Sequence, residues 1–110
     1  MQISARHLDK ITIFDVTGDI DLSTSPELRK ALLRELRELH MPRVVLNLKA
    51  VRYIDSSGVA SLVEGLKASR DVGARFILFG LNTTVREVLQ LSRLLKIFET
   101  YESEEQAVAP

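Results

Sequence analysis

Residues 43–59 read RVVLNLKAVRYIDSSGV, a short apolar run followed by an acidic residue, two serines and a glycine. The run at 43–49 is typical of an interior strand, because strands covered on both faces are almost continuously apolar. Asp-Ser-Ser-Gly is typical of a helix start, since carboxylate and hydroxyl oxygens accept hydrogen bonds from the free N–H groups of a first turn. The segment therefore predicts a strand that leads through a loop into a helix over about 58–70, which Gly73 ends.

The chain before this segment is predicted to form a hairpin and a helix. Residues 2–8 and 10–17 alternate between apolar and polar side chains, as two strands joined by a tight turn do. Ser25 and Pro26 then match a helix start, with Ser25 as the N-cap, and Pro42 ends that helix. Its buried face is predicted from leucines at helical spacing, namely Leu28, Leu32, Leu36 and Leu39.

The chain after the segment continues the same order of strand and helix. Residues 75–79 (RFILF) predict a second interior strand. A third helix begins near Asn82, where Thr84 and Glu87 have the spacing of a capping box. The tail is predicted to hold a short strand near 97–101 and a final acidic helix. The apolar side of the third helix consists of Val85, Val88, Leu89 and Leu91.

Alternating strands and helices predict a single α/β domain over residues 1–110, with right-handed crossovers and a mostly parallel sheet. The loops at 18–25, 50–57 and 80–84 each join the carboxyl end of a strand to the next helix. Such loops emerge at one edge of a parallel sheet, where ligand and partner sites concentrate. We therefore expect these three loops to form one surface.

Composition excludes several classes of function. Fifteen Lys and Arg residues balance fifteen Asp and Glu residues, so no basic excess favours nucleic acid as a direct partner. Cysteine is absent, which rules out disulfides and thiol catalysis. No run approaches the roughly 18 apolar residues of a membrane span, and the N-terminus has no apolar signal region. The composition indicates a cytoplasmic protein without a membrane role.

The Asp-Ser-Ser-Gly stretch allows three interpretations, of which the simplest is a helix cap. A serine nucleophile is disfavoured, because Ile54 stands where a nucleophile elbow needs glycine and no predicted surface loop carries a histidine. The third interpretation is a phospho-acceptor. A phosphate at a helix N-terminus gains from free N–H groups and adds about −1.5 to −2 charges to the surface.

A metal site is disfavoured on the same surface. Asp19 and Asp21 are two carboxylates without a histidine, a cysteine or a third acid nearby in the sequence. Such a pair is a weak metal site, and a solvated loop explains it at least as well. The sequence therefore predicts neither a bound metal nor a cofactor.

Three segments resemble a STAS domain, in particular the stand-alone bacterial anti-sigma factor antagonists. They are VTGDIDLSTSPELRKAL, VVLNLKAVRYIDSSGVASLVEGLKASRDVGARFILFGLN and VREVLQLSRLLKIFETYESEEQAV, and together they cover nearly the whole chain in the family's order. The most specific feature is Asp-Ser-Ser-Gly after a V-x-L-[ND]-[LF] strand, reinforced by a G-[DE]-[IL]-D loop. The resemblance implies the STAS fold, a mixed, mostly parallel sheet of four to five strands with helices packed against one side.

The resemblance also implies a partner switch rather than an enzyme, with no catalytic residue in the chain. The unphosphorylated antagonist captures an anti-sigma factor, which is also a serine kinase of the histidine-kinase-like ATPase type, and the captured kinase releases its sigma factor. Phosphorylation ends the capture, and a metal-dependent serine phosphatase restores it. In the family motif the acceptor is the second serine, which is Ser57 here, with Ser56 as the less favoured alternative.

A capping argument is compatible with that acceptor. Ser56 as the N-cap would leave Ser57 free at the first turn, whereas a helix that begins one residue later would exchange their roles. Asp21 matches the family's loop aspartate near the partner-binding face. The partner-contacting set implied by the resemblance is Asp21, Ser23, Asp55, Ser56, Ser57 and Gly58.

Two other functions of STAS domains stay open at the level of sequence. One is a constitutive interaction module, in a stress-signalling scaffold or a lipid-transport complex, in which Asp-Ser-Ser-Gly only caps a helix. The other is a nucleotide sensor, which GTP or ATP would stabilise by mass action. The sequence also leaves open a monomer or a weak homodimer, because Leu91, Leu94 and Leu95 would give an apolar surface if the core does not cover them.

Overall fold

The computed structural model describes residues 1–110 and contains one five-stranded sheet with the strands in sequence order. Strand β1 is antiparallel to β2, and every later neighbouring pair is parallel. The prediction of a mixed, mostly parallel α/β sheet is therefore confirmed. The strands are β1 (Gln2–Leu8), β2 (Ile11–Thr17), β3 (Arg43–Ala50), β4 (Arg75–Phe79) and β5 (Glu99–Tyr101).

Four α-helices connect or follow the strands, and a π-helical turn (Arg34–Glu38) prolongs the first of them. A short 3₁₀ turn (Leu95–Ile97) precedes β5. None of the helices has both the length and the apolar character needed to cross a lipid bilayer. The helices are α1 (Ser25–Leu33), α2 (Ser56–Val72), α3 (Thr83–Leu91) and α4 (Glu104–Ala107).

The two faces of the sheet bury separate apolar clusters, because successive side chains of a strand point to opposite faces. Phe14, Leu46 and Leu78 belong to the large cluster that α1, α2 and α3 cover. Helix α4 lies on the other face, where Ala107 joins the small cluster. Three helices therefore pack against one side as expected, and the fourth covers apolar strand residues on the opposite side, namely Ile13, Val45, Ile77 and Phe79.

Helix α1 begins differently from the sequence-based prediction. Ser25 is the first helical residue and is buried, while Thr24 occupies the N-cap position without a side-chain cap bond. The N–H group of Ser25 donates to the carbonyl oxygen of Asp21 at 2.7 Å. The prediction of Ser25 as the N-cap was wrong, because the backbone of the preceding loop already satisfies this end of the helix.

Helix α3 is capped by Asn82 rather than by a capping box. The Asn82 side-chain oxygen accepts a hydrogen bond from the N–H group of Val85 at 2.8 Å. The helix therefore starts at Thr83, so Thr84 lies inside the first turn and does not occupy the N-cap position of a capping box. The predicted box was wrong because an asparagine two residues earlier, on an extended backbone, is an equally good acceptor.

Leu39 of the predicted buried face is 51% exposed, and Leu91 of the apolar side predicted for the third helix is 86% exposed. The N–H group of Leu39 donates to the carbonyl oxygen of Arg34 at 3.0 Å, a π-type bond to the fifth preceding residue. This wider turn rotates Leu39 away from the leucine face. Leu91 lies about 120° around α3 from Val85, outside the buried stripe. Leu94 and Leu95, by contrast, pack against the large cluster.

An arginine on the outer strand ties three elements together. The Arg6 guanidinium donates to Asp15 Oδ2 at 2.6 Å and to Glu104 Oε1 at 2.6 Å, so it links β1, β2 and α4. Hydrogen bonds from Arg6 hold the pKa of Asp15 below its ordinary value of 3.8 and that of Glu104 below 4.5. Both acids therefore stabilise the folded state in their ionised form.

We predict an acid-dependent loss of stability that depends on Arg6. Because folding lowers both pKa values, the two ionised acids stabilise the fold fully above their ordinary values of 3.8 and 4.5. This stabilisation is lost as the pH falls through the lowered pKa values of the folded state. Arg6→Gln should reduce the free energy of unfolding by about 0.5–1 kcal/mol near neutral pH and by less in acid, since the groups are partly exposed.

Urea unfolding at about pH 7 and about pH 3 measures this difference. Arg70→Gln is the matched control, because Arg70 is exposed and forms no ion pair. An Arg6→Gln loss that is as large in acid as at neutral pH would contradict the electrostatic origin.

Candidate functional site

The loops after β2 and β3 are joined by backbone hydrogen bonds. Ile20 forms a parallel bridge with Ile54. The N–H group of Ile20 donates to the Tyr53 carbonyl oxygen at 3.0 Å, and the N–H group of Asp55 donates to the Ile20 carbonyl oxygen at 3.1 Å. The parallel pairing of β2 with β3 therefore continues past the sheet and holds the two loops side by side.

The loop after β4 joins the same surface through Asn82. The Asn82 side-chain nitrogen donates to the Val51 carbonyl oxygen at 2.8 Å, while its oxygen caps α3. All three loops at the carboxyl edge of the parallel strands are thus connected by hydrogen bonds. The prediction that 18–25, 50–57 and 80–84 form one surface is confirmed.

Asp55 is the N-cap of α2. Its Oδ1 atom accepts a hydrogen bond from the N–H group of Gly58 at 3.0 Å, and its Oδ2 atom accepts one from the N–H group of Leu22 at 3.1 Å. Neither serine is the cap, although the sequence analysis allowed either, and α2 begins at Ser56, two residues before the predicted start near 58. A carboxylate has acceptor capacity on two oxygens, so Asp55 serves the helix and the neighbouring loop together.

Both serines of the motif therefore lie inside the first turn of α2. Ser56 is exposed and Ser57 is half-buried. Neither hydroxyl forms a hydrogen bond within the chain, in contrast to the buried Ser61, whose hydroxyl donates to the Gly58 carbonyl oxygen at 2.7 Å. Capping does not distinguish Ser56 from Ser57, because Asp55 caps the helix and leaves both hydroxyls free to react.

Gly58 allows α2 to begin directly against the neighbouring loop. A Cβ atom at this position would lie 2.5 Å from Ile54 Cγ1 and 2.7 Å from the Ile20 carbonyl oxygen. The backbone oxygen cannot move without breaking the bridge between the two loops. Close packing therefore requires a glycine here. We interpret Gly58, which the resemblance placed in the partner-contacting set, as a structural residue.

Asp21 shapes its own loop. Its Oδ1 atom accepts hydrogen bonds from the Ser23 hydroxyl at 2.8 Å, the Ser23 N–H group at 3.0 Å and the Thr24 N–H group at 3.1 Å. These bonds, with that from the Ser23 hydroxyl foremost, lower the pKa of Asp21. The Oδ2 atom forms no hydrogen bond within the chain, so an ionised oxygen is available to a partner beside the exposed Ser23.

Two apolar side chains on this surface were missed by the sequence analysis. Leu22 is 75% exposed and Tyr53 is 47% exposed, and both adjoin the bonds that join the two loops. A leucine within the polar loop sequence DLST was the available signal, since a turn has no need of a large apolar side chain. Exposed apolar groups around a polar centre are typical of protein interfaces.

Ser57 also opens onto a cleft between α1 and α2. The cleft has a volume of about 220 Å³, and an ion pair between Arg29 of α1 and Glu64 of α2 spans it. The side chains along it include Ser25, Arg29, Ser57, Ala60 and Glu64. Ser57 is the one serine of the motif that lines this cleft.

No three metal-ligating side chains of the chain come together. Asp19 and Asp21 have separate environments: the Asp21 carboxylate is bonded within its loop, and Asp19 has Arg52 as its nearest cation, at 4.0 Å. The Asp19 Oδ1 atom is buried and accepts no hydrogen bond, so the two carboxylates have different surroundings.

The sequence matches one protein family over almost its whole length. Residues 2–107 match the model of the STAS domain, and the chain belongs to the STAS domain family. The anti-sigma-B factor antagonist of Listeria monocytogenes is 32% identical over 100 residues, which cover 90% of this chain and 85% of that protein. The anti-sigma F factor antagonist of Paenibacillus polymyxa is 27% identical over 108 residues, covering 98% and 92%.

A solved structure agrees with the fold. The crystal structure of an anti-sigma factor antagonist from Mycobacterium paratuberculosis superposes with a TM-score of 0.86 over 97% of this chain and 90% of that one. The two sequences are 23% identical. The similarity shows that both chains share the STAS fold.

We predict that Asp55→Ala is the more damaging of two neighbouring substitutions. Loss of the cap and of the bond to Leu22 should lower the free energy of unfolding by about 1–2 kcal/mol. Ser56→Ala should change it by less than about 0.5 kcal/mol, because that hydroxyl is exposed and unbonded. Urea denaturation of both variants measures the difference, and an equal loss in both would restore Ser56 as the cap.

Proposed function

We propose that this protein is an anti-sigma factor antagonist regulated by phosphorylation of Ser57. In the unphosphorylated form it binds an anti-sigma factor, which then releases its sigma factor. The observation that carries the proposal is the free Ser57 hydroxyl at the first turn of α2, on a surface built from three hydrogen-bonded loops. The names of the two bacterial relatives support this function.

Phosphorylation at Ser57 would leave the fold in place. The hydroxyl makes no hydrogen bond that modification would break, and the cap of α2 belongs to Asp55. The phosphate would instead add about −1.5 to −2 charges at neutral pH. These charges would arise beside Asp55 and on the same surface as Asp21, in a chain whose formal net charge is zero. The switch is then a change of surface charge, not of folding.

The partner-binding surface combines a polar centre with apolar neighbours. Asp21 offers an unbonded carboxylate oxygen, and Ser56 and Ser57 offer free hydroxyls. Leu22 and Tyr53 add exposed apolar area beside them. Interfaces of this kind take most of their affinity from a few large anchors, while surrounding polar groups set specificity. A phosphate would place bulk and negative charge among these contacts.

The protein itself acts as a regulator and not as an enzyme in this proposal. An activated serine needs an adjacent base, and the residues along the cleft beside Ser57 include no histidine. We propose that the captured anti-sigma factor is the serine kinase, of the histidine-kinase-like ATPase type. A metal-dependent serine phosphatase then restores the binding form.

Mass spectrometry of the intact protein from its native host, with peptide mapping of residues 50–70, tests the modification. One phosphate on Ser57, with an ATPase of the serine-kinase type bound only to the unphosphorylated fraction, is the expected result. Phosphate on Ser56 alone would move the acceptor by one residue. No phosphate under several growth conditions, with a stable partner that is not a kinase, would favour a constitutive interaction module.

We predict opposite effects of two substitutions at Ser57 on binding to the anti-sigma factor. Ser57→Ala should bind as wild type does and lose its regulation. Ser57→Asp should bind at least about tenfold more weakly, which corresponds to about 1.4 kcal/mol. Isothermal titration calorimetry measures both affinities. Gln90→Glu adds one charge at an exposed position of α3 and should have no effect; equal affinities for all variants would refute an electrostatic switch.

We predict that Leu22 is an anchor for the partner. Leu22→Ala should weaken binding by about tenfold or more, the effect of losing one well-packed anchor. The midpoint of thermal unfolding should stay unchanged, because the side chain is 75% exposed in the free protein. Leu91→Ala is the matched control, since Leu91 is 86% exposed at the far end of α3. Equal effects of both substitutions would remove Leu22 from the interface.

A further inference from the structure

An arginine with an exchangeable partner lines the cleft onto which Ser57 opens. The Arg29 guanidinium donates from α1 to Glu64 of α2, across the cleft. The two side chains are 53% and 44% exposed. Ion pairs of this exposure contribute little to stability, so a stronger acceptor in the cleft would displace Glu64.

Arg29 of α1 and Ser57 of α2 line the same cleft from opposite walls. Each helix connects two neighbouring parallel strands, so α1 and α2 run in the same direction beside each other. Side chains of a helix lean towards its N-terminus. The guanidinium can therefore turn from Glu64 towards the N-terminal end of the cleft, where Ser57 lies. Only the small side chains of Ala60 and Ser61 stand between Ser57 and Glu64 on the α2 wall.

A phosphate on Ser57 would be a better acceptor than Glu64. It carries about −1.5 to −2 charges and three oxygens, against one charge on a carboxylate. A guanidinium matches the geometry of two phosphate oxygens at once. Arg29 is the one cationic side chain among the residues of the cleft. The cleft thus contains an acceptor position at Ser57 and a single, partly exposed cation on the opposite wall.

We propose that Arg29 binds the phosphate on Ser57 and leaves Glu64 when it does so. The inference rests on the proposed phosphorylation of Ser57. The phosphorylated form then has a new link between α1 and α2 and an unpaired Glu64 carboxylate at the surface. A partner that fits the unmodified cleft meets a rearranged pair of side chains in addition to the phosphate charge.

The test uses the full chain with phosphoserine inserted at position 57 during translation, so no cellular kinase is needed. Phosphorus NMR titration measures the second pKa of the phosphate, which is about 6 in a free phosphoserine. Arg29→Gln should raise the measured value by about 0.5 unit relative to the phosphorylated wild type, which is about threefold in proton affinity. Arg29→Lys should restore part of the difference.

Two further variants make the result specific. Glu64→Gln removes the competing carboxylate and should lower the phosphate pKa below that of the wild type. Arg37→Gln should leave it unchanged, because Arg37 pairs with Asp71 and is not among the residues of the cleft. Equal phosphate pKa values in the wild type and Arg29→Gln would overturn the proposal. That result is independent of whether Ser57 is phosphorylated in the cell, which the mass measurement decides.

Discussion

The two hydrogen bonds accepted by the Asp55 carboxylate determine the geometry of the site. One comes from the N–H group of Gly58 in the first turn of α2, and the other from the N–H group of Leu22 in the loop after β2. One side chain therefore fixes where α2 begins and how the two loops lie against each other. Because the carboxylate performs both tasks, Ser56 and Ser57 are released from capping, and neither hydroxyl forms a hydrogen bond within the chain.

Close packing beneath Asp55 makes the surface rigid. Gly58 lies against Ile20 and Ile54 with no room for a side chain, and the bridge between those two residues continues the sheet into the loops. A surface supported in this way has little freedom to unfold locally. The regulation that we propose, by added charge and by exchange of a surface ion pair, suits such a support better than an order–disorder transition does.

Local sequence patterns were sufficient to predict most of the fold. Alternation of apolar side chains every second residue indicated β1 and β2, and continuous apolar runs indicated β3 and β4 as interior strands. The order of strands and helices then implied parallel pairing, so the meeting of the three loops at one edge followed from topology alone. Some local details were predicted wrongly. Asn82 rather than Thr84 caps α3, and a π turn moves Leu39 off the buried face of the first helix.

The sequence by itself determined the class of the sheet, the position of Asp-Ser-Ser-Gly at the start of α2 and the edge on which the site lies. Each of these depends on residues that are near one another along the chain. Only the tertiary structure decided that Asp55 is the cap, because its second hydrogen-bond donor, Leu22, lies 33 residues earlier. The pairing of Arg29 with Glu64, 35 residues apart, was equally invisible in the sequence. Contacts of this kind follow from how two helices and two loops pack, which no local pattern specifies.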